Sequence, residues 1–418
     1  MTKNLIIRIF LLPLIFLPLS ILGMRDTPLG QLDFSATLTG IYDSRVFGIS
    51  EDLFNKSRNG SNGFIKSDEL ESQDDFILKF SPAVHFNRKI SLLRFAGSAG
   101  VEIAQFIKNN EKSYIIPITN FVVDFDDTLS KRKTISNNAR IRFDATFDIG
   151  QHIGASVLEQ DLISYTYFQS GINVRYNHSA KFGLGAGTDY SYRHYQSGST
   201  GDPRLYNDIS NLPLHARAFY IFSEKLDFFS QYTFTRSQSH GKSTLADSKT
   251  HSISFGANGE MSSKLSGTAS IGYSYLNFDD SNANSQNSVI TSTTLNWKIN
   301  TKSSSFFSLS RNFSPSSQGF SNLSTNSRIG LNHRFLEDLS GSAYLSLGHS
   351  KYTYPSSNPA EPNRGETSSM KTYGLGFNIN KIFSKVFSGN AGYNFSFTDR
   401  SIQEFDRHLL TIQLTGRF

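Results

Sequence analysis

Basic side chains recur at alternating positions along this chain of 418 residues, and fewer acidic side chains accompany them. Guanidinium groups that line a water-filled passage attract anions, whereas guanidinium–carboxylate pairs brace the wall that carries them. We expect single pairs to brace the wall, such as Arg140 and Arg142 with Asp144 and its neighbours, and we expect a positive balance for the passage as a whole. If the chain forms a wall around such a passage, the alternation predicts which side chains point into it. The residues predicted to face inward are Arg94, Arg140, Arg142, Arg175, Arg193, Arg217, Arg328, Arg334, Lys79, Lys298 and His85, with the acids Glu102, Asp144, Asp189, Asp227 and Glu260.

Tyrosine side chains offer a second kind of chemistry, because sugars stack on aromatic rings. Tyr167 shares a face with Gln169, Asn173 and Arg175, so it is a candidate for an aromatic ladder inside the passage. Rings with a polar tip otherwise prefer the head-group level of a membrane. The aromatic residues near segment ends are predicted to form such interfacial girdles: Tyr165, Tyr190, Tyr192, Tyr195 and Trp297.

Catalytic, metal and nucleic-acid chemistry have little support in the sequence. The ten histidines are scattered, and no Ser–His pair stands in a distinctive motif. Asp68, Glu69, Glu71, Asp74 and Asp75 crowd one stretch without EF-hand spacing, so a solvated loop is favoured over a divalent cation site. The net charge is +6, and the basic residues form no long run. We therefore predict no enzymatic activity, no cofactor, no metal site and no nucleic-acid partner.

Alternating strands must position these side chains. Apolar and polar residues alternate with a period of two, for example over residues 76–86 and 139–148, and a charged second face excludes a helix. About 18 such segments run from Leu32–Phe47 to Leu410–Phe418. A soluble propeller is the alternative, but no propeller motif recurs. The pattern predicts an all-β fold: a transmembrane, antiparallel, up-and-down β-barrel of about 18 strands.

Short turns and long loops alternate between these segments. Ser179–Phe182, Ser223–Leu226 and Ser262–Leu265 share one turn pattern, and Asn300–Ser303 is a variant of it. This asymmetry predicts short periplasmic turns and longer extracellular loops. The loops are polar and rich in Gly, Ser, Asn and Asp, and they cover residues 51–75, 196–208, 237–248, 279–286, 314–325 and 355–368.

The N-terminal segment has the features of an export signal. Lys3 and Arg8 precede an apolar run that is too short and proline-interrupted for a membrane helix, and the chain contains no cysteine. We predict a signal peptide over residues 1–23, a short periplasmic lead over 24–31 and the barrel over 32–418. The predicted location is the outer membrane of a Gram-negative-type cell, with its lipid, lipopolysaccharide and barrel-assembly machinery as partners.

The last strand carries a predicted assembly signal. Leu410, Ile412, Leu414 and the terminal Phe418 fall on one face of an alternating segment. Bacterial outer-membrane barrels commonly end on such an aromatic residue, and their insertion machinery reads the final strand. An ordinary last strand of a soluble sheet is the alternative for these residues taken alone.

The chain resembles the outer-membrane β-barrel porins of the "beta-barrel porin 2" group. The resemblance rests on the opening strand Gly40–Phe47, on the hairpin from Ile172–Tyr176 to Phe182–Gly187 and on Phe418. Ser44 and Arg45 depart from the Asp and Asn of that group. Such porins are often encoded beside exopolysaccharide and exosortase genes, so the resemblance implies a porin-like barrel with possible polysaccharide-export partners.

Together these features predict a passive channel for small solutes or saccharides, or the outer-membrane exit of an exopolysaccharide pathway. The alternative is a non-conducting structural barrel that anchors or organises the cell surface. The passage residues above would set a weak preference for anions or acidic sugars.

Deletion of Phe418 should lower the yield of assembled barrel more than it alters the pore, because the terminal residue is predicted to act in insertion. The measurement is the amount of heat-modifiable barrel in membranes. An unchanged amount would contradict the prediction.

Overall fold

The computed structural model describes residues 25–27, 30–48, 50–51, 54–55, 70–126, 140–156, 161–195, 207–240, 247–279, 285–315, 321–353, 367–400 and 403–418. Almost all of these residues lie in strands. Two single 3-10 turns, Val46–Gly48 and Asn110–Lys112, interrupt them, and no helix in the described part is long and apolar enough to span a membrane. The strands are β1 Arg25–Thr27, β2 Gly30–Asp43, β3 Asp75–Ile90, β4 Leu93–Phe106, β5 Tyr114–Asp126, β6 Arg140–Ser156, β7 Asp161–Asn177, β8 Phe182–Tyr195, β9 Asp208–Ser223, β10 Leu226–His240, β11 Ser248–Glu260, β12 Leu265–Phe278, β13 Gln286–Lys298, β14 Ser303–Pro315, β15 Ser321–Arg334, β16 Leu339–Thr353, β17 Thr367–Ile382, β18 Phe387–Arg400 and β19 Gln403–Arg417.

The strands β2 to β19 form a closed antiparallel barrel of 18 strands, which confirms the predicted fold class. Each strand pairs with the next along the chain, and β19 pairs with β2 to close the ring. Directly opposite residues point to the same side of the sheet, so the register separates two faces throughout. Large apolar side chains such as Ile271 and Ile412, each 62% exposed, cover the outer face. Ser, Thr, Asn and charged residues cover the face toward the lumen.

In the short turns, one side chain accepts hydrogen bonds from the backbone amides of the turn. In the turn before β12, the Ser262 hydroxyl accepts hydrogen bonds from the amides of Lys264 and Leu265, at 3.4 and 3.0 Å. Asn300 does the same with its carboxamide oxygen in the turn before β14. Ser and Asn are favoured at such positions because their short side chains satisfy amides that the turn leaves unpaired. This bonding explains the turn pattern that recurs in the sequence.

Ion pairs flank the closing seam between β2 and β19. Near the turn end of the barrel, Arg417 Nη2 lies 2.6 Å from Asp33 Oδ2. At the loop end, Arg407 binds Asp43 through two hydrogen bonds of 2.9 and 2.5 Å. Phe418 continues the pairing beyond the strand, because its backbone N–H and C=O both bond to Phe34. The face of β19 that carries Leu410, Ile412 and Leu414 points outward.

Several boundaries differ from the predictions. The first barrel strand covers Gly30–Asp43 rather than Leu32–Phe47, because the chain turns at Ser44 and Val46 becomes buried. Arg25–Thr27, in the predicted periplasmic lead, pairs with the beginning of β2. The predicted signal peptide lies outside the described residues. Most turns are short as predicted, but the connection over residues 127–139 is long although it lies at the turn end, and its residues are outside the described part.

Candidate functional site: the lumen

The register places the predicted passage residues on the lumen face. Arg94, Glu102, Arg142, Asp144 and Arg175 alternate with outward apolar residues in β4, β6 and β7, and Arg193, Arg217, Arg328 and Arg334 do so in β8, β9 and β15. Arg140 is the first residue of β6 and lies opposite Asn177, but its side chain is outside the described part. The strand alternation therefore carries each of these residues to the same side of the wall.

Several lumen charges brace the wall rather than face open water. Arg175 Nη1 lies 2.7 Å from Asp227 Oδ2, and its guanidinium is 4.1 Å from the centre of the Phe219 ring. Lys79 Nζ lies 2.9 Å from a carboxylate oxygen of Glu102. These contacts connect two or more strands and agree with the bracing role expected for single pairs. Asp144 accepts a 3.0 Å hydrogen bond from the side-chain amide of Asn173 on the neighbouring strand.

A glycine-rich stretch of β8 makes the Arg175 contacts possible. Gly183, Gly185 and Gly187 all face the lumen between β7 and β9. A Cβ at Gly185 would lie 3.0 Å from the Phe219 ring, so a larger residue would require that ring to shift from its place beside Arg175. Close packing against neighbouring side chains therefore explains glycine in this hairpin, which is part of the family resemblance.

The lumen has two chemically different walls. We call the lumen faces of β3–β10 the charged wall, because most of the pairs above lie there. We call the lumen faces of β11–β18 the hydroxyl wall. Away from the strand ends, Arg328 is the one charged side chain of the hydroxyl wall in the described residues. The rest of that wall is dominated by hydroxyl and carboxamide groups, including Ser252, Ser254, Ser270, Ser292, Ser308, Ser310, Ser324, Asn326, Ser346, Thr372, Asn378, Asn394 and Ser396.

The charge balance is closer than the sequence interpretation expected. The described lumen faces carry nearly as many acids as bases, because several acids were missed along with a few bases. The same alternation that identified Asp144 also places Asp148 inward, so the signal was present in the sequence. The predicted arginine surplus is therefore small. The additional lumen-facing residues are Asp33, Asp43, Asp75, Asp124, Asp148, Lys89, Arg400, Arg407 and Arg417.

A cavity of about 890 Å³ lies between the two walls. Asp189 and Arg193 of β8 line one side of it, and Ser324 and Arg328 of β15 line the other. The lining extends to β17, which lies half-way around the ring from β8. The Arg328 guanidinium is 3.4 Å from the centre of the Tyr344 ring, and this stacking orients it within the otherwise uncharged wall.

Three tyrosines cluster inside the lumen at the loop end of the charged wall. The rings of Tyr165 and Tyr195 are 5.2 Å apart, those of Tyr165 and Tyr167 are 6.4 Å apart, and the Arg193 guanidinium lies 5.5 Å from the centre of the Tyr165 ring. The girdle prediction is therefore wrong for Tyr165 and Tyr195, because their register places them inward. Trp297 lies on the outer face, as a girdle residue must, and its side chain is 52% exposed.

A buried carboxylate at the mouth of the barrel holds the β4–β5 connection, and Asn109 of that connection binds the amides of Glu71 and Ser72 in the β2–β3 connection. Asp75 is fully buried and accepts hydrogen bonds from the amides of Ile107, Lys108 and Asn109 and from the Asn109 side chain, at 2.8 to 3.0 Å. Its neighbour Asp74 pairs with Lys108 at 2.7 Å, and this hydrogen bonding lowers the pKa of Asp74. These two acids have structural partners, whereas the sequence suggested a solvated loop. Asp68 and Glu69 lie outside the described residues.

Part of the β2–β3 connection packs inside the barrel. Val46 and Leu70 are buried against Ile77 and Phe106, whose side chains face the lumen. The Val46 amide also bonds to the Gln73 carbonyl oxygen at 2.7 Å. An apolar cluster at this point narrows the loop end of the passage beside the charged wall.

A closed antiparallel ring with an apolar outer face and a polar lumen defines a porin-like outer-membrane β-barrel. The chain belongs to the family described as "Putative beta-barrel porin 2", whose model matches residues 129–418. Comparison with the curated proteins gave no match.

The solved structures that match this chain include OccK1 (OpdK), OccAB4 and a siderophore receptor. Pseudomonas aeruginosa OccK1 (OpdK) is 12% identical with a TM-score of 0.47, and the match covers 93% of this chain and 99% of that one. Acinetobacter baumannii OccAB4 is also 12% identical with a TM-score of 0.47, covering 94% and 100%. The siderophore receptor PirA of Pseudomonas aeruginosa is 9% identical with a TM-score of 0.41, covering 94% and 81%.

Replacement of Asp75 by alanine should loosen the β4–β5 connection and, through Asn109, the β2–β3 connection, because four hydrogen bonds to a buried carboxylate are lost. We expect the barrel to lose about 3 kcal/mol of stability and residues 44–74 to become sensitive to protease added outside the cell. Asp74→Ala is the matched control, since it removes the ion pair with Lys108 and the hydrogen bond from Ser72 but leaves the buried Asp75 contacts in place. Equal cleavage of the two variants would refute the anchoring role of Asp75.

Proposed function

We propose that the barrel is a passive channel of a Gram-negative-type outer membrane, through which hydrophilic solutes and saccharides pass along the hydroxyl wall. The cavity between Arg193 and Arg328 carries this proposal, because it joins both walls across the lumen. Hydroxyl and carboxamide groups both donate and accept hydrogen bonds, so they exchange partners with the hydroxyl groups of a sugar. Conduction requires such binding to be weak and spread over many positions.

Charge selectivity in this proposal is local rather than a property of the whole lumen. Acids and bases nearly balance overall, but Arg193 and Arg328 border the same cavity from opposite sides. Asp189 lies on the Arg193 side and reduces the net charge there. Two arginines and one aspartate at the same cavity support a weak preference for anions and for acidic sugars over cations. Catalysis has no part in the proposal, since the family is one of porins.

A closed structural barrel is the second candidate. The apolar cluster of Val46, Leu70 and Phe106 favours it, because this cluster occupies space at the loop end of the lumen. Such a barrel would anchor or organise the cell surface without passing solutes.

Planar-bilayer recordings distinguish the two candidates. We expect steady openings with a weak anion preference, and we expect Arg193→Glu with Arg328→Glu to reverse that preference. Lys264→Glu combined with Lys302→Glu is the matched control, because both residues lie in exposed turns. A folded barrel that shows no conductance would refute the channel.

An export role has a separate test in the producing cell. Deletion of the gene should abolish secreted polysaccharide while uptake of small solutes continues unchanged, if the barrel is the exit of an exopolysaccharide pathway. Normal capsule or matrix in the deletion strain would refute export and leave general diffusion as the channel's role.

A further inference from the structure

A row of basic residues crosses the outer face of β14–β17. Arg311 of β14 is the register partner of Thr325 in β15, Thr325 is the partner of His349, and His349 is the partner of Lys371. Directly paired residues share a face, and this face is the outer one because it alternates with lumen residues such as Ser310. We call Arg311, His349 and Lys371, with Lys351 two residues beyond His349, the cationic row.

The cationic row lies at the level of the outer leaflet. Arg311 is eight residues from Ser303, the turn-end residue of β14, and Lys371 is eleven residues from Ile382, the turn-end residue of β17. With a rise of ~3.4 Å per residue and a tilt of ~40°, these positions are about 20 and 29 Å above the turn end. The apolar band of such barrels is about 25 Å tall. The row therefore crosses the loop-end boundary of that band.

Arg311 is held in place by uncharged partners. Its Nε donates to the Val289 carbonyl oxygen at 3.1 Å and to the Ser288 hydroxyl at 3.2 Å, and its Nη1 donates to the Thr325 hydroxyl at 2.8 Å. Within the described residues, no carboxylate forms an ion pair with a member of the row, although Asp399 is the register partner of Lys371. A cation on the lipid-facing side is costly. An anion from the membrane would offset that cost.

The backbone around Arg311 explains its fixed position. The ladder between β13 and β14 ends at the pair Thr291 and Arg311, so residues 286–290 and 312–315 do not pair with each other. The Arg311 side chain bonds into this gap and replaces part of the missing ladder. Its guanidinium is therefore preorganised, and its remaining N–H groups are available to a ligand.

An apolar groove begins beside Arg311 and descends toward the turn end. It has a volume of about 790 Å³, and Thr291 and Thr293 form its upper end. Small side chains such as Ala257 and Ala269 form its floor, and Phe228 and Phe255 form its sides. A groove with this lining on a lipid-facing wall suits an acyl chain, since each buried CH₂ contributes about 0.8 kcal/mol.

We propose that this face binds one lipopolysaccharide molecule, with its phosphates on the cationic row and an acyl chain in the groove. Arg311 and Lys371 are three strand spacings apart, about 14 Å, so the row presents two separate phosphate contacts on one glycolipid. Guanidinium and ammonium groups form charge-assisted hydrogen bonds with phosphate oxygens. The height of the row selects the phosphate-bearing lipid of the outer leaflet over inner-leaflet phospholipid. This proposal does not depend on what passes through the lumen.

Native mass spectrometry of the full barrel in detergent tests the proposal, with purified lipopolysaccharide as the probe. We expect about one bound molecule per barrel and at least tenfold weaker binding for Arg311→Gln combined with Lys371→Gln. The matched control is Lys264→Gln combined with Lys302→Gln, which removes the same charge from exposed turns at the other end. Heat-modifiability on gels reports whether each variant is folded.

A second variant keeps the test valid if loss of Arg311 disturbs the barrel. Lys351→Gln combined with Lys371→Gln leaves every Arg311 hydrogen bond intact, and it should still weaken binding severalfold. Dephosphorylated lipopolysaccharide should bind weakly to the unaltered barrel. Equal binding by row and control variants, equal retention of phosphatidylglycerol, or a dimer that buries this face instead of lipid would each overturn the proposal.

Discussion

Closure of the sheet is the constraint on which the rest of this structure depends. Lipid offers no hydrogen-bond partners, so every strand must find its partners within the protein, and an open edge cannot face the membrane. Here one pairing, β19 with β2, removes both edges. Arg417 with Asp33 and Arg407 with Asp43 flank this seam, and Phe418 extends its hydrogen bonds by one residue. Charged groups are tolerated there because they lie on the lumen side.

Closure also places the two faces of the sheet in different surroundings, so their compositions are constrained differently. The outer face must be apolar over the height of the membrane, whereas the lumen face is free to vary around the ring. The charged wall uses that freedom for ion pairs such as Arg175 with Asp227. The hydroxyl wall uses it for uncharged groups that both donate and accept hydrogen bonds. Arg311 departs from this division, since it is a cation on the outer face at the one place where the β13–β14 ladder is incomplete.

Alternation in the sequence was sufficient to predict the barrel, the strand number and the side of the wall on which Arg94 or Arg217 lies. A period of two is a local property, so the sequence shows it directly. The roles of Asp75 and Val46 depend on contacts between segments far apart in the chain, and no local pattern records them. Tyr165 was misplaced because its position near a strand end suggested a girdle, although its alternation with Phe168 indicated the lumen. The sequence contains the uncharged inward residues of β11–β18. The difference between the two walls becomes apparent only when the inward residues of all strands are compared.

The self-closing turns have a consequence for how the chain reaches its folded form. A turn that Ser262 or Asn300 closes needs no contact from elsewhere, so each hairpin is a unit of low contact order. All strand pairings but one join neighbours in the chain. Growth by successive hairpins therefore proceeds through short loop closures, and the entropy of bringing distant segments together is concentrated in the meeting of β2 with β19. The turns therefore favour pairing between neighbouring strands, and the pairing of β2 with β19 is the closure that joins segments far apart in the chain.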